Sequence, residues 1–552
     1  MPSPPTPPPA RRELTARAVA VAVLVAALMG AAEPLIVLKI GYGPNLSVVS
    51  AFLGFVVLGA LGWLTGARGS RWENNLVQTA GTSAGAGVGF MAVLLAAIDL
   101  LDARGLLSIH LTPLQIFAWL APAGILGVLL AVPLRRHFLD EEDLPFADGT
   151  AAGQTLCILD ERPEQAGPRL AALGLGGLTS AALAFLREGL RWLPGAIPFT
   201  ALTPHAAALR LGVEVGVLSV GAGMLVGLRV ALSMGLGMLL AWVVAPAPLV
   251  AHGIATELSF NGLLQRFTMW PATGLMVAGG LTALAVNWRA VTRSFAGLAD
   301  RGGAGDDLPM RWVIAGSVAA ATTLALVQWR SLGFPIWLTL VSIALSFLLM
   351  LVGIRVLGET NWAPISAMAN VMQAVFAVLV PGHVPVNMIG SGMSGTIAGN
   401  GEHLMQDYRA GKVVGSSNRN LTLLQLLGVP VGALALAVVY PAARARFGVG
   451  GEGGLTSPIS VKWAGFAELL SNGFGALPRS AFVALVLALV VGVALTLAEA
   501  TRAGRWLPSP TAVGIGMLIP AWAVAPRVVG GAVTALWRRL HGPSEQALGT
   551  PL

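Results

Sequence analysis

The chain repeatedly runs uncharged for as long as a helix needs to cross a lipid bilayer. Gly41–Ala67, Asn74–Ile98, Leu111–Leu134, Val230–Ala251, Thr268–Trp288, Ser331–Ile354, Asn361–Gly382, Leu421–Ala443, Ser480–Ala498 and Leu507–Pro526 contain no Asp, Glu, Lys or Arg. About 20 helical residues cross the hydrocarbon, so each window is a candidate span. Backbone polar groups cannot be left unpaired in lipid, which restricts spans to helices or closed barrels. These windows are too long and too continuously apolar for the alternating strands of a barrel. The fold class is therefore all-α and polytopic. Adding Ala18–Leu38, Leu170–Leu186, Val215–Leu228, Trp312–Trp329, Pro385–Asn400 and Val528–Trp537 brings the total to roughly 12–16 transmembrane or re-entrant segments. Only 11% of the residues are charged, against roughly a quarter in soluble domains, which excludes an ordinary soluble protein.

The formal net charge of +8 does not point to nucleic acid, because the arginines are scattered through short connections without a basic tail or stripe. Arg11, Arg12 and Arg17 precede the first span, Arg68 and Arg71 follow the second, Arg135 and Arg136 the fourth, and Arg538 and Arg539 the last. Under the positive-inside rule this alternation predicts a multi-pass protein of the cell (inner or plasma) membrane with both termini cytoplasmic. The expected organisation is a disordered proline-rich tail (1–13), a first transmembrane half (14–292), a polar loop (293–311), a second half (312–540) and a C-terminal tail (541–552). The first apolar segment reads as an uncleaved helix rather than a removed leader. A further polar loop is expected around 135–169. A weak echo relates the halves: Glu73-Asn74-Asn75 to Glu359-Thr360-Asn361, and "LPFADGTAAGQ" to "LPSPTAVGIGM". Repeated halves with interrupted helices are one way transporters build a midplane site. Cys157 is alone, so no disulfide framework exists.

Charge inside such a chain is where chemistry is sought, since ionisable groups in membranes are costly and usually functional. "SGMSGTIAGNGEHLMQDYRAGKVVG" places Glu402, His403, Asp407, Arg409 and Lys412 behind a glycine-rich run. Pro381, Gly382, Pro385, Gly390, Gly392, Gly395, Gly399 and Gly401 make a poor single helix, so a short hairpin or broken helix is expected. Its backbone at Ser391, Gly392, Ser394 and Gly395 would then be open to a peptide-like solute. Glu402, His403 and Asp407 read either as proton-handling or cation-binding groups, or as a solvated helix end with Asp407 compensated by Arg409 and Lys412. His403 and Asp407 are four apart and share a helical face. Glu73, with Asn74 and Gln78 behind it, and Glu359, with Asn361, read either as helix caps or as proton-coupling or ammonium-binding groups. Arg229 reads as the partner of a protein or substrate carboxylate, or as snorkelling to the interface. The other glycine-rich runs read as close helix packing. His110, His137, His205, His252 and His541 read as plain polar residues at span ends.

Enzymatic readings fare poorly. Gly392-Met393-Ser394-Gly395 has the GxSG form of an intramembrane serine protease, but no later transmembrane histidine offers a base. HExxH and Walker A patterns are absent. Met388, Met393, His383 and His403 are available to a soft or borderline metal, though such residues also arise without one; no resident metal or cofactor is expected.

Several long, ordered motifs together resemble the oligopeptide transporter family, which includes peptide carriers and the yellow-stripe-like carriers of metal chelates. "RWENNLVQTAGTSAGAGVGF" is similar to its early Glu-Asn-Asn segment, "LPFADGTAAGQTL" to its element after the fourth helix, and "GAGMLVGLRVALSMGLGMLLAW" to its central glycine-rich helix. "NGEHLMQDYRAGKVVGSSNRNLTLLQLLG" is the most specific match, and "WLPSPTAVGIGMLIP" resembles the closing helices. Arg409 and Ala410 stand where Lys and Thr are usual. The resemblance implies proton-driven import of short peptides, or alternatively carriage of metal chelates, with a non-transport scaffold as a remote third reading. It makes Glu73, Glu359 and Asp407 the anionic candidates for a zwitterionic peptide and Arg229 and Arg409 the cationic ones. Oligomeric state is not legible.

Overall fold

The computed structural model describes residues 13–40, 46–66, 69–161, 163–254, 258–286, 306–449, 455, 458–471, 479–499, 501, 504 and 506–541. The proline-rich leader, most of the 293–311 segment and the chain beyond His541 lie outside them. The helices are α1 (Ala16–Ile40), α2 (Leu46–Thr65), α3 (Arg71–Ala103), α4 (Pro113–Ala131), α5 (Ala147–Asp160), α6 (Pro163–Ala184), α7 (Leu218–Val226), α8 (Leu228–Leu239), α9 (Pro246–Ala251), α10 (Phe260–Leu263) and α11 (Met269–Val286). They continue as α12 (Met310–Leu332), α13 (Ile336–Thr360), α14 (Ile365–Leu379), α15 (Val384–Val414), α16 (Asn418–Phe447), α17 (Pro458–Ser471), α18 (Arg479–Glu499), α19 (Pro510–Leu518) and α20 (Ala521–His541). Among the described residues 9 helices are long and apolar enough to span a membrane; the remaining apolar windows lie largely in other helices, among them the 31-residue α15. The only strands among them are Ala196–Pro198 and Gly212–Glu214, paired antiparallel.

The centre is built from α3 and α15, buried along most of their lengths, and α16, buried on one face. A Cβ on Gly428 or Gly432 of α16 would stand 2.5 Å from the Ala80 carbonyl oxygen or 2.2 Å from that of Ala84 on α3. One on Gly127 of α4 would stand 2.2 Å from the Ile397 carbonyl oxygen of α15. Small residues let these backbones touch, which is how membrane helices associate when no water is there to drive them together. Lipid-facing surfaces are apolar instead, as on α18, where Phe482, Val483, Leu487 and Val490 are exposed.

The expected break in the 385–401 segment is not there: α15 is one continuous helix, buried in the core. Pro381 and Gly382, the latter at φ +78°, form the turn before it, and Pro385 sits in its first turn, where the missing N–H costs nothing. The glycines replace the expected distortion with tertiary packing. Cβ atoms at Gly390, Gly392, Gly395 and Gly401 would fall 2.2 Å from a ring carbon of Phe376, 2.0 Å from a methyl of Leu94, 2.0 Å from a ring carbon of Phe90 and 2.2 Å from the Met350 sulfur. Each costs roughly 1 kcal/mol of helix propensity relative to Ala, and burying a large side chain in its place returns about 1.5–3 kcal/mol.

Interruptions occur elsewhere. Gly227, at φ +85°, separates α7 from α8, and the Leu507–Pro526 window divides at Pro520 into α19 and α20. The two broken helices pack on each other through glycines: Gly237 against the Val513 carbonyl, Gly516 against that of Met234, and Gly530 against that of Val220. The expected loop at 135–169 is also largely helical. It forms a π-helical turn at Arg136–Glu141, then α5 and the start of α6.

If backbone approach governs this packing, Gly127→Ala lowers stability by about 1–3 kcal/mol through overpacking, read as a lower thermal midpoint in detergent. Gly174→Ala, in open space, leaves the midpoint unchanged or slightly raised.

Candidate functional site

The interior polar seam starts on α3. Asn75, Gln78 and Thr82 fall on one face at spacings of three and four residues, and all are buried. Asn75 Nδ2 donates to Gln78 Oε1 at 2.8 Å, and Gln78 Nε2 donates to Asp407 Oδ1 of α15 at 2.6 Å and to Thr82 Oγ1 at 3.0 Å. Gln425 of α16 donates to the other Asp407 oxygen. Asp407 is thus held by two carboxamides and paired with no cation among the described residues. The expected compensation by Arg409 and Lys412 does not occur, because those side chains leave the other way: Arg409 Nη1 reaches Asp143 at 2.7 Å, and Lys412 Nζ donates to the Leu139 carbonyl at 2.6 Å.

Glu402 lies on the same helix, fully buried, with neither carboxylate oxygen hydrogen-bonded to any described group. It is seated against α13 where Gly353 leaves room; a Cβ there would stand 2.0 Å from Oε1. His403 is half-buried beside it. It shares the helical spacing with Asp407 but not a bond, since both Asp407 oxygens are engaged by the glutamines.

Other predicted residues resolve into local structure. Glu73 is the third residue of a capping box with Ser70 and pairs with Arg17 at 2.6 Å, with Thr15 donating at 2.5 Å; its cap reading is the one realised. Asn74 leaves Oδ1 buried and unpartnered. Ser391 and Ser394 return their hydroxyls to the Met388 and Gly390 carbonyls at 3.1 and 2.9 Å, and Gly392 and Gly395 are packing positions. A helical backbone has its amides spent internally, so α15 is not an open amide reader. Arg229 pairs with Glu499 at 2.6 Å. Glu359 accepts a hydrogen bond from the Thr511 hydroxyl of α19. Asn361, the left-handed cap of α13, accepts from the Asp148 N–H at 3.0 Å and from Gln406 at 3.3 Å and donates to Asp148 Oδ1 at 2.7 Å. It ties α5, α13 and α15 together.

Several ionisable residues inside apolar runs went unread: Glu33 in α1, Arg355 in α13 and Arg527 in α20. Each was detectable as a lone charge in a hydrophobic window. His137 is not a plain polar end residue. It is buried, with Nδ1 3.3 Å from Glu141 and Nε2 3.1 Å from Glu142, whose other oxygen meets Arg355 at 2.5 Å. Burial opposes charge on its ring, but the two carboxylates outweigh it and raise its pKa above the ordinary 6.5. Beside it, the Arg409 guanidinium holds the Asp143 carboxyl below its usual range. A recess of 380 Å³ lined by Pro248, Leu249, Phe267, Val483 and Leu487 is apolar and contains none of these site residues. Among the described residues no three of His, Cys, Asp and Glu gather to hold a metal ion.

The fold and site define a multi-pass α-helical membrane protein with acids sealed in its interior. Residues 13–549 match the family model described as OPT oligopeptide transporter protein, and the chain belongs to that family of transporters. It is 28% identical over 38% of its length to a Saccharomyces cerevisiae protein carrying an oligopeptide-transporter name, and 30% identical over 39% to one so named in Haemophilus influenzae. Those matches span 30% and 33% of the relatives' own lengths. A rice protein carrying a metal-nicotianamine transporter name is 23% identical over 98% of this chain and 83% of its own.

Because folding raises the His137 pKa, its contribution is complete below 6.5 and fades as pH climbs through the raised value. The wild-type thermal midpoint in detergent is expected to fall as pH rises from 6.5, and His137→Asn to remove that slope.

Proposed function

We propose that the chain is a secondary active carrier that imports short oligopeptides by proton symport across the cell membrane, with both termini cytoplasmic. The observation that carries this reading is Glu402: a carboxyl sealed inside the helix bundle with no partner for either oxygen among the described residues. Burying an unpaired ionised carboxylate costs many kcal/mol, so such a group closes off from water only when a proton or a cation arrives with it. That requirement couples occupancy to conformation, as symport demands. Asp407 is the second candidate, held by neutral amides that tolerate either protonation state. Glu359, at the contact between α13 and α19, and Arg229 with Glu499 are placed where the broken helices meet the rest of the bundle, and so serve alternating access rather than proton binding.

A second reading, carriage of a metal chelate, is favoured by the near full-length similarity to the rice protein named for metal-nicotianamine transport. Both cargoes are amino-acid-like and carry several charges, so they call for the same kind of pocket.

Purified protein in liposomes, given an inward pH gradient and labelled tri- to pentapeptides or an iron–nicotianamine complex, separates the cargoes. Glu402→Gln is expected to reduce gradient-driven accumulation to the level seen without a gradient while sparing substrate exchange. Accumulation equal to wild type would remove Glu402 from coupling, and an identical trial of Asp407→Asn decides between the two acids.

A further inference from the structure

Arg527 is a cation without an anion. It lies in α20, 6% exposed, and among the described residues it contacts no carboxylate directly. Nη1 donates to the Ala523 carbonyl of its own helix at 2.5 Å and to Ser219 Oγ of α7 at 3.4 Å. Nε is buried and donates to no described group. The guanidinium carbon sits 5.1 Å from the centre of the Trp362 ring, so the side chain points from the crossing of α7 and α20 toward the junction of α13 and α14. At that crossing the two backbones touch: a Cβ on Gly223 would stand 2.1 Å from the Arg527 carbonyl oxygen.

This arrangement is incomplete as a structural device. A buried guanidinium is stabilised by a carboxylate, and evolution of a packed helix crossing offers many apolar alternatives that cost less. The cation–π contact with Trp362 offsets part of the burial, and Glu214 acts on the charge through Ser219, which donates to Glu214 Oε2 at 2.9 Å. The Nε–Nη2 edge, the one that matches the two oxygens of a carboxylate, carries no bond. Asp148, at the start of α5, is bonded to Asn361, the residue before Trp362, so an acid is fixed at the same junction that Arg527 reaches through the Trp362 ring.

We infer that Arg527 receives a carboxylate of the transported molecule through its Nε–Nη2 edge, in a conformation where Trp362 has drawn back, with Asp148 across the junction positioned toward the ammonium. The assignment rests on the carrier reading above. A carboxylate is common to a peptide C-terminus and to an amino-acid-derived chelator, and the test separates them.

Wild type, Arg527→Gln and Arg527→Lys are compared in liposomes by counterflow, without an imposed gradient, using tri- to pentaalanine, the same peptides amidated at the C-terminus, and iron–nicotianamine as competitor. Wild type is expected to prefer the free acid by tenfold or more in apparent KM, on the order of one charge-assisted bidentate pair. Arg527→Gln should collapse that ratio toward one by raising KM for the acid alone. Arg527→Lys, which keeps charge but loses the fork, should fall between and guards against a misfolded glutamine variant. Competition by the chelate that is lost in Arg527→Gln alongside peptide discrimination assigns the site to both cargoes; counterflow of labelled iron–nicotianamine in the absence of peptide uptake, with its KM raised in Arg527→Gln, assigns it to the chelate. Equal transport of acid and amide by wild type, or discrimination retained in Arg527→Gln, overturns the assignment and leaves the carrier reading standing. Uptake of neither peptide nor chelate by folded wild type overturns the carrier reading itself, and the assignment with it.

Discussion

Hydrocarbon supplies no hydrogen-bond partners, and every feature of this molecule follows from having to find them inside the chain. Backbone groups are satisfied by helices, and the helices then need another reason to associate. Glycine provides it by letting backbones meet at carbonyl distance: α4 on α15 at Gly127, α16 on α3 at Gly428 and Gly432, and α7 on α20 at Gly223. Without those approaches the polar side chains of α3, α15 and α16 would not reach one another, and Asp407 would lose the amides of Gln78 and Gln425.

The same constraint sorts the charges into two populations. One is fully paired and gathers where α4 runs into α5: Arg135 with Asp140 and Asp307, Glu142 with Arg355, Asp143 with Arg409. It pins the connection to α13 and α15, and losing one partner of its most enclosed pair, Glu142 with Arg355, is costly. The other population lacks its complement. Among the described residues Glu402 meets no cation and Arg527 no carboxylate, and ionisable groups in a membrane interior are costly. The structure thus separates charges that are paired across the fold from buried charges left without an opposite partner among the described residues.

The broken helices are a second organising element. α7–α8 and α19–α20 are interrupted at Gly227 and Pro520 and meshed through glycine contacts. Glu359 and Thr511 join this pair to α13, and Arg229 and Glu499 join it to α18.

Local chemistry made much of this legible. Uncharged windows of spanning length dictated an all-α membrane fold, and ordered motifs placed the chain in its family, because both depend on composition along the chain and not on who packs against whom. The capping box at Glu73 was equally readable, being a bond between neighbours in sequence. Glycine was not: the same residue type weakens a helix in isolation and welds it to a neighbour in a bundle. The choice between a broken and a continuous α15 thus turned on whether Phe90, Leu94, Met350 and Phe376 filled the space its missing side chains left. Pairing of charges was decided the same way. Arg409 and Asp407 are neighbours in sequence yet face opposite surroundings, and only the tertiary structure, by bringing Asp143 to one and Gln78 and Gln425 to the other, determined which charge meets an opposite charge and which is held by neutral amides.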